Sequence, residues 1–232
     1  VVLQNLPVRF AIDRAGMVGA DGVTHQGSFD IAYLGCIPNF VLMAPSDEVE
    51  LTHMIATSLS IDDRPSAFRY PRGEAIGLEI PDLAFPIEIG KSKIIKEGKR
   101  VALLSYGTRL VDVIKADEEL SSYGISPTII DARFAKPLDE NLIKDIVKNH
   151  EVLITIEEGS VGGFATQVFN FLSKNNLLNK NLKFKSLFFP DFFIDHDTTK
   201  NQYKLAKVAS KDIVSETLNL LGSNKINHKQ TA

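Results

Sequence analysis

Apolar positions along the chain follow two rhythms. Short runs rich in branched and aromatic residues, at 6–12, 40–43, 66–70, 101–106, 127–131, 152–156 and 183–189, read as strands, the first of them as a buried parallel strand. Between several of these runs the spacing becomes helical. Leu51, Met54, Ile55 and Leu59 form the inward face of one helix, with Ser46 as its N-cap and Asp47, Glu48 and Glu50 complementing the dipole of its first turn. A second helix runs from beyond Gly107-Thr108 to Tyr123. A third covers 137–149 with Leu138, Leu142, Ile143 and Ile146 inward, and two more cover 162–173 and 212–221; residues 28–34 are helical or irregular. Strand and helix alternating after residue 100 predict a doubly wound parallel sheet.

The rhythm lapses over residues 73–92, where Gly77, Pro81 and Pro86 predict a linker. Charge changes there too. Residues 1–90 hold no lysine and set five arginines against twelve carboxylates, whereas residues 91–232 set 21 Lys and Arg against 17 acids. Such a break predicts two units with different surfaces. The expected fold class is α/β, with two parallel-sheet three-layer units: residues 1–80, a linker at 81–92, residues 93–222, and a polar tail at 223–232.

Composition adds limits. At 232 residues, 44% hydrophobic and 24% charged, the chain is of ordinary globular make-up. No apolar run approaches the ~20 residues of a membrane span. The scattered lysines are not a nucleic-acid footprint. A single cysteine, Cys36, excludes an internal disulfide, and beside Ile37 and Phe40 it reads as a small core residue. A start at Val1 without initiator Met or basic leader is expected of a fragment or a processed form.

Candidate chemistry gathers in residues 13–27, a loop leaving the first strand. Glycines at 16, 19, 22 and 27 allow positive φ and close approach of the backbone to a ligand. Among them stand Arg14, Asp21 and His25, and Arg72 leaves another strand in Pro71-Arg72-Gly73. In open α/β sheets, ligands bind beyond the carboxyl ends of strands. Two arginines there suit a phosphate dianion, since guanidinium offers bidentate, permanently charged donors. An imidazole can shuttle protons, and a nearby carboxylate can fix its tautomer. The competing reading pairs both arginines with acids of the acidic half. Other features read as structural: Gly107-Thr108 as a packing turn, Glu157-Glu158 as complements to a helix dipole, Asp195-His196-Asp197 as a solvated turn, Asp63-Arg64 as a local ion pair and His53 as a solvated side chain. Arg69 fits either face of its strand.

Several motifs carry a resemblance. Leu-Pro-Val-Arg-Phe-Ala-Ile-Asp-Arg-Ala-Gly (6–16), Gly-Ala-Asp-Gly-Val-Thr-His-Gln-Gly (19–27), Ala-Pro-Ser-Asp-Glu (44–48), Arg-Tyr-Pro-Arg-Gly (69–73), Asp-Ala-Arg-Phe-Ala-Lys-Pro-Leu-Asp (131–139), Glu-Glu-Gly-Ser-Val-Gly-Gly-Phe (157–164) and Leu-Phe-Phe-Pro-Asp-Phe-Phe-Ile-Asp-His (187–196) together resemble the 1-deoxy-D-xylulose-5-phosphate synthases of the transketolase superfamily. The resemblance runs from about residue 3 to residue 221, with Val23 and the segment from Lys174 to Lys185 departing from the family pattern. It implies the later part of a thiamine pyrimidine-binding domain followed by a transketolase C-terminal domain. It implies a transferase, homodimeric when full length, that decarboxylates pyruvate on thiamine diphosphate with Mg2+ and joins the two-carbon unit to glyceraldehyde 3-phosphate. Arg14 and Arg72 would hold the aldehyde's phosphate, and His25 and Asp21 would meet the reacting carbons. The cofactor's ligands would lie upstream, so this chain alone is expected to be inactive. The wording of 61–66 and 157–164 resembles plant sequences, implying a plastid stroma, with a bacterial cytoplasm as the alternative. Other function classes to weigh are a non-catalytic α/β binding or dimerisation module, and a transketolase or pyruvate dehydrogenase β-type relative.

Overall fold

The computed structural model describes residues 1–178 and 181–222. The tail expected at 223–232 lies outside the described residues, as do residues 179 and 180 of the departing 174–185 segment. The described strands form two sheets. The first has the order β1-β3-β2-β7, from β1 (Arg9–Ile12), β2 (Val41–Met43), β3 (Ser66–Arg69) and β7 (Phe134–Lys136). The second has the order β4-β6-β5-β8-β9, from β4 (Lys93–Lys96), β5 (Arg100–Tyr106), β6 (Thr128–Asp131), β8 (His150–Glu157) and β9 (Lys183–Leu187). In each sheet the pairs are parallel except one: β2 with β7, and β4 with β6. The helices are α1 (Asp30–Gly35), α2 (Glu48–Ser60), α3 (Leu110–Ser122), α4 (Glu140–Asn149), α5 (Phe164–Lys174), α6 (Thr199–Leu205) and α7 (Ser210–Leu221). Both faces of the second sheet are covered. Val101, Leu103, Ile129 and Ile154 pack with α3 and α7, while Ala102, Leu104 and Leu153 pack with Ile146 of α4 and Val168 of α5. A parallel strand buried on both faces is apolar at its centre, as Val101–Leu104 of β5 and Val152–Ile154 of β8 are.

Four local expectations need correction. The first strand is shorter than its apolar run and lies at a sheet edge, with its two central residues exposed, because only β3 pairs with it. The N-cap of α2 is Asp47, whose side chain accepts from Glu50 N–H at 2.8 Å, rather than Ser46. The buried face of that helix is Glu50, His53, Met54, Thr57 and Ser58, while Ile55 and Leu59 are exposed. Cys36 is exposed instead of buried.

The reason for the rotated face of α2 is the linker. Residues 73–92 contain no helix or strand. Part of the segment is laid along α2 and held by side-chain acceptors. Glu48 accepts from Gly77 N–H at 2.7 Å and Leu78 N–H at 2.6 Å, His53 Nδ1 accepts from Phe85 N–H at 3.2 Å, and Thr57 Oγ1 accepts from Ile87 N–H at 2.8 Å. The His53 ring also packs on Phe85, with centroids 4.4 Å apart. His53 is therefore buried by the linker, against the expectation of a solvated side chain.

The chain crosses back after the linker. Strand β7 extends the first sheet, and Ala44 N–H donates to Arg133 C=O at 3.0 Å beside it. Arg133 then gives Nη2 to Glu50 Oε1 at 2.6 Å, and Lys93 Nζ lies 3.2 Å from the same oxygen. Asp131 is packed beside this cluster. Burial, reinforced by the Glu50 carboxylate and opposed by hydrogen bonding, raises its pKa to about 7.

Candidate active site

The loop after β1 carries three of the four candidate side chains, and the segment after β3 the fourth. The two strands are parallel neighbours with Ile12 opposite Arg69, so both segments leave the same end of the sheet. Loop residues 15 and 70 are tied by Ala15 N–H to Tyr70 C=O at 2.9 Å. This brings Arg14 and Arg72 to one carboxylate: Arg14 Nε is 3.3 Å and Arg72 Nε 2.9 Å from Asp21 Oδ2. Arg14 Nη1 also meets Asp13 at 2.6 Å. Among the described residues, Asp21 is the polar partner of Arg72, which leaves its Nη nitrogens available. The two arginine side chains are 43% and 49% exposed, half open to solvent. Arg72 borders a cavity of about 530 Å³ between the two sheets, walled by Ser46, Tyr70, Thr108, Arg109 and Tyr203.

His25 does not complete the expected pairing. It is exposed, its Nδ1 is 3.0 Å from Thr24 Oγ1, and Asp21 is engaged by the arginines instead. The carboxylate thus orients guanidiniums and does not set the imidazole's tautomer. The arginines are paired with acids, as the competing reading has it, and both side chains remain partly open to solvent.

The glycines of the loop also serve the packing of the two units against each other. Gly16, Gly19 and Gly22 do take positive φ, of 75°, 65° and 75°. What approaches them is the second unit of the chain. A Cβ at Gly16 would lie 2.7 Å from Glu158 Oε2, one at Gly22 would overlap the ring of His196, and one at Gly19 would lie 3.4 Å from Asp197 C=O. His196 is thus packed against the loop, although it remains exposed as expected. Gln202 of α6 reaches Gly19 directly: Gly19 N–H donates to its Oε1 at 2.8 Å, and its Nε2 donates to Gly19 C=O at 3.2 Å. Gln26 Nε2 donates to Ile194 C=O at 2.6 Å.

Behind the loop lies a buried ionic layer that sequence reasoning did not find. Arg69 is 2% exposed; its Nε donates to Asp30 at 2.6 Å and its Nη2 to Gly27 C=O at 2.8 Å and Glu158 C=O at 2.9 Å. Glu157 and Glu158 part company. Glu157 caps α5, accepting from Phe164 N–H and Ala165 N–H at 2.8 Å each, which is the expected helix-terminus role. Complete burial nevertheless raises its pKa to about 7, against those two donors and Arg69. Glu158 does not serve the helix. It accepts from Arg109 Nε at 2.7 Å, from Tyr203 hydroxyl at 3.0 Å and from Thr108 Oγ1. Arg109 stacks over the Tyr203 ring at 3.6 Å. The one signal for Glu158 was its place at a strand exit. Among the described residues no three His, Cys, Asp or Glu side chains are grouped to hold a metal ion, and no helix is long and apolar enough to cross a membrane.

Two α/β units, joined by a shared strand and a buried ionic layer, place a glycine loop of one under residues of the other. The family model of the transketolase pyrimidine-binding domain matches residues 1–76, and that of the transketolase C-terminal domain matches residues 90–213. The chain belongs to the transketolase family, a class of thiamine-diphosphate enzymes. Its fold is similar to that of a split-gene transketolase described as an inactive beta4 tetramer, with a TM-score of 0.82 and 23% identity, covering 96% of this chain and 69% of that one. It is also similar to a transketolase from Campylobacter jejuni subsp. jejuni, with a TM-score of 0.68 and 20% identity, covering 91% of this chain and 31% of that one. The chain thus spans less than a third of the length of that enzyme. At these identities the likeness concerns the fold.

Proposed function

We propose that this chain forms the acceptor-phosphate side of a 1-deoxy-D-xylulose-5-phosphate synthase, within a longer thiamine-diphosphate enzyme that joins the two-carbon unit of pyruvate to glyceraldehyde 3-phosphate. The observation that carries this reading is the pair of half-exposed guanidiniums on one carboxylate at neighbouring strand ends. Asp21 engages each arginine through Nε and so keeps the planes of both in place. Both Nη nitrogens of Arg72, and the Nη2 of Arg14, whose Nη1 meets Asp13, are left for the phosphate dianion, which guanidinium binds bidentately. His25, exposed on the same loop, exchanges a proton with the oxygen substituents of the reacting carbons. Thiamine diphosphate supplies carbanion stabilisation when bound. The described residues do not assemble a magnesium–diphosphate site, and no residue of this chain is assigned to that group. The motif wording supports a homodimeric enzyme of the plastid stroma as the whole protein.

The test is Arg72→Ala in the full-length enzyme, with pyruvate as donor. Loss of a partly desolvated ion pair to phosphate is worth roughly 2–4 kcal/mol, so KM for glyceraldehyde 3-phosphate rises while that for unphosphorylated glyceraldehyde stays put. An unchanged KM removes Arg72 from the site. A full-length enzyme that takes xylulose 5-phosphate as donor in place of pyruvate assigns the chain to transketolase proper.

A further inference from the structure

The arginines and Asp21 belong to the first unit, yet the turn that carries Asp21 is fastened by the second. Residues Gly19–Asp21 form a single 3₁₀ turn. Its first residue is bound on both sides by one side chain: Gln202 accepts from Gly19 N–H at 2.8 Å and donates to Gly19 C=O at 3.2 Å. The same Nε2 donates to Asp195 C=O at 2.9 Å, tying the turn to the segment that precedes α6. Gln202 is 1% exposed, so water does not replace these bonds if they are lost. Helix α6 also contributes Tyr203 and Thr199 to the wall of the cavity that Arg72 borders. Gln202 itself makes no contact with either arginine through hydrogen bond or ion pair among the described residues.

We infer that Gln202 is a positioning residue of the anion site: its amide fixes the Gly19–Asp21 turn so that the Asp21 carboxylate meets both guanidiniums at once. The inference rests on the phosphate-cradle reading only for its functional consequence. The geometric claim, that the Arg14–Asp21–Arg72 arrangement depends on a side chain of the other unit, stands apart from it. Gly19 lies two residues before Asp21, and a 3₁₀ turn passes a rotation of its first peptide directly to the third residue. With the amide gone, the turn keeps Asp21 N–H to Val18 C=O at 3.4 Å and Gly22 N–H to Gly19 C=O at 3.3 Å, two long and therefore weak bonds.

The experiment uses the full chain with Gln202→Leu, which keeps bulk and removes all three bonds. Gln202→Glu keeps the acceptor for Gly19 N–H and regains a donor only when protonated. Val208→Ala, buried near the end of α6, serves as a control for lost stability alone. Two readouts are taken: the Nε–H NMR resonances of Arg14 and Arg72, and protection of Arg72 from an arginine-modifying dicarbonyl by inorganic phosphate. Gln202→Leu moves both Nε resonances and weakens phosphate protection about tenfold, the equivalent of one to two lost hydrogen bonds. Val208→Ala does neither, and Gln202→Glu recovers protection on acidification. Unmoved Nε resonances in a folded Gln202→Leu chain overturn the inference. Should that variant not fold, unmoved resonances in Gln202→Glu above neutral pH overturn it equally. Absence of phosphate protection in the unsubstituted chain overturns the cradle reading instead, and the Nε resonances still decide the role of Gln202.

Discussion

Replacing Glu157 by glutamine isolates the cost of a buried carboxylate. In the folded chain both of its oxygens accept backbone N–H groups of α5 at 2.8 Å, and burial lifts its pKa from 4.5 to about 7. A carboxyl whose pKa is raised on folding binds more protons folded than unfolded between those two values. Stability is then full below the unfolded pKa and falls as pH rises through the folded one. Between about pH 5.5 and 8.5 the loss integrates to about 2 kcal/mol for a shift of this size, an upper value because the surroundings relax. Glutamine does not titrate. It resembles the protonated acid in offering one oxygen acceptor, and its amide faces the second N–H badly, at a cost of roughly 1–2 kcal/mol at every pH. The variant is therefore less stable than the parent near pH 5.5 and draws level with or exceeds it near pH 8.5. Other titrating groups, Asp131 included, cancel in the difference between the two proteins. Urea unfolding or melting at the two pH values measures this; for a chain of this length about 2 kcal/mol appears as a change of about 4–8 °C in the melting-temperature difference. A difference independent of pH, or a deficit that grows toward alkaline pH, would refute the assignment of Glu157 as a strained, desolvated acid.

His25→Ala leaves the melting temperature unchanged, because the ring is exposed and bonded only to its neighbour, yet lowers turnover of the full-length enzyme by about 10²–10⁴ if it transfers a proton; matched losses of activity and stability would remove it from the chemistry. His53→Leu withdraws the acceptor of Phe85 N–H, so hydrogen exchange at Phe85 accelerates while Ile87, held by Thr57, keeps its protection. Gly22→Ala combines a Cβ in the His196 ring with a backbone at φ 75° and ψ −171°, a region nearly restricted to glycine, and costs about 2–4 kcal/mol in chemical unfolding. Adding His196→Ala returns the steric part but leaves about 1–3 kcal/mol of backbone strain; full recovery by the double variant would show that the backbone is not strained.

Most strands and helices of the second unit were legible because they bury a continuous apolar stretch or a clear helical stripe, as β5, β8 and α5 do. Where a different partner decides burial, pattern failed. The apolar stripe of α2 points partly to solvent because the linker covers its polar side, and no periodicity in 47–60 announces that residues 77–87 will be laid there. Strand β7 is three residues long, too short for a rhythm to register, and it pairs across units. Lys93–Lys96, with two lysines flanking two isoleucines, gives no alternation either and is found only by its antiparallel pairing with β6. At the site, residue types at two strand exits placed Arg14, Asp21 and Arg72 together. The partner of Asp21 was misjudged, since an imidazole four residues away in sequence competes on paper with guanidiniums that only the sheet register brings near. Gln202 and Tyr203 left no mark in the sequence, because their work is done by position on a helix that pattern did not find.

Arg69 and Arg72 show what separates a strut from a site. They stand three residues apart, Arg69 as the last residue of β3 and Arg72 just beyond it, and the sequence singles out Arg72 by its strand exit while leaving the face of Arg69 open. Arg69 is buried: its Nε and Nη2 bond both oxygens of Asp30 and two carbonyls, one of them from the second unit, and at 2% exposure it offers no edge to a ligand. Removing such a group strands Asp30 in the interior, at a cost of about 3–5 kcal/mol, so its loss reads as unfolding. Arg72 holds one carboxylate through Nε at 2.9 Å and keeps the rest of its fork beside a cavity. Its truncation leaves Asp21 paired with Arg14, and the fold has little to lose. A guanidinium that is only partly satisfied and stands at a cavity's edge, unlike the buried Arg69, is the group whose remaining donors a dianion can take without breaking anything. That asymmetry is what the proposed phosphate reading adds to the mere presence of two arginines, and it directs the test to Arg72.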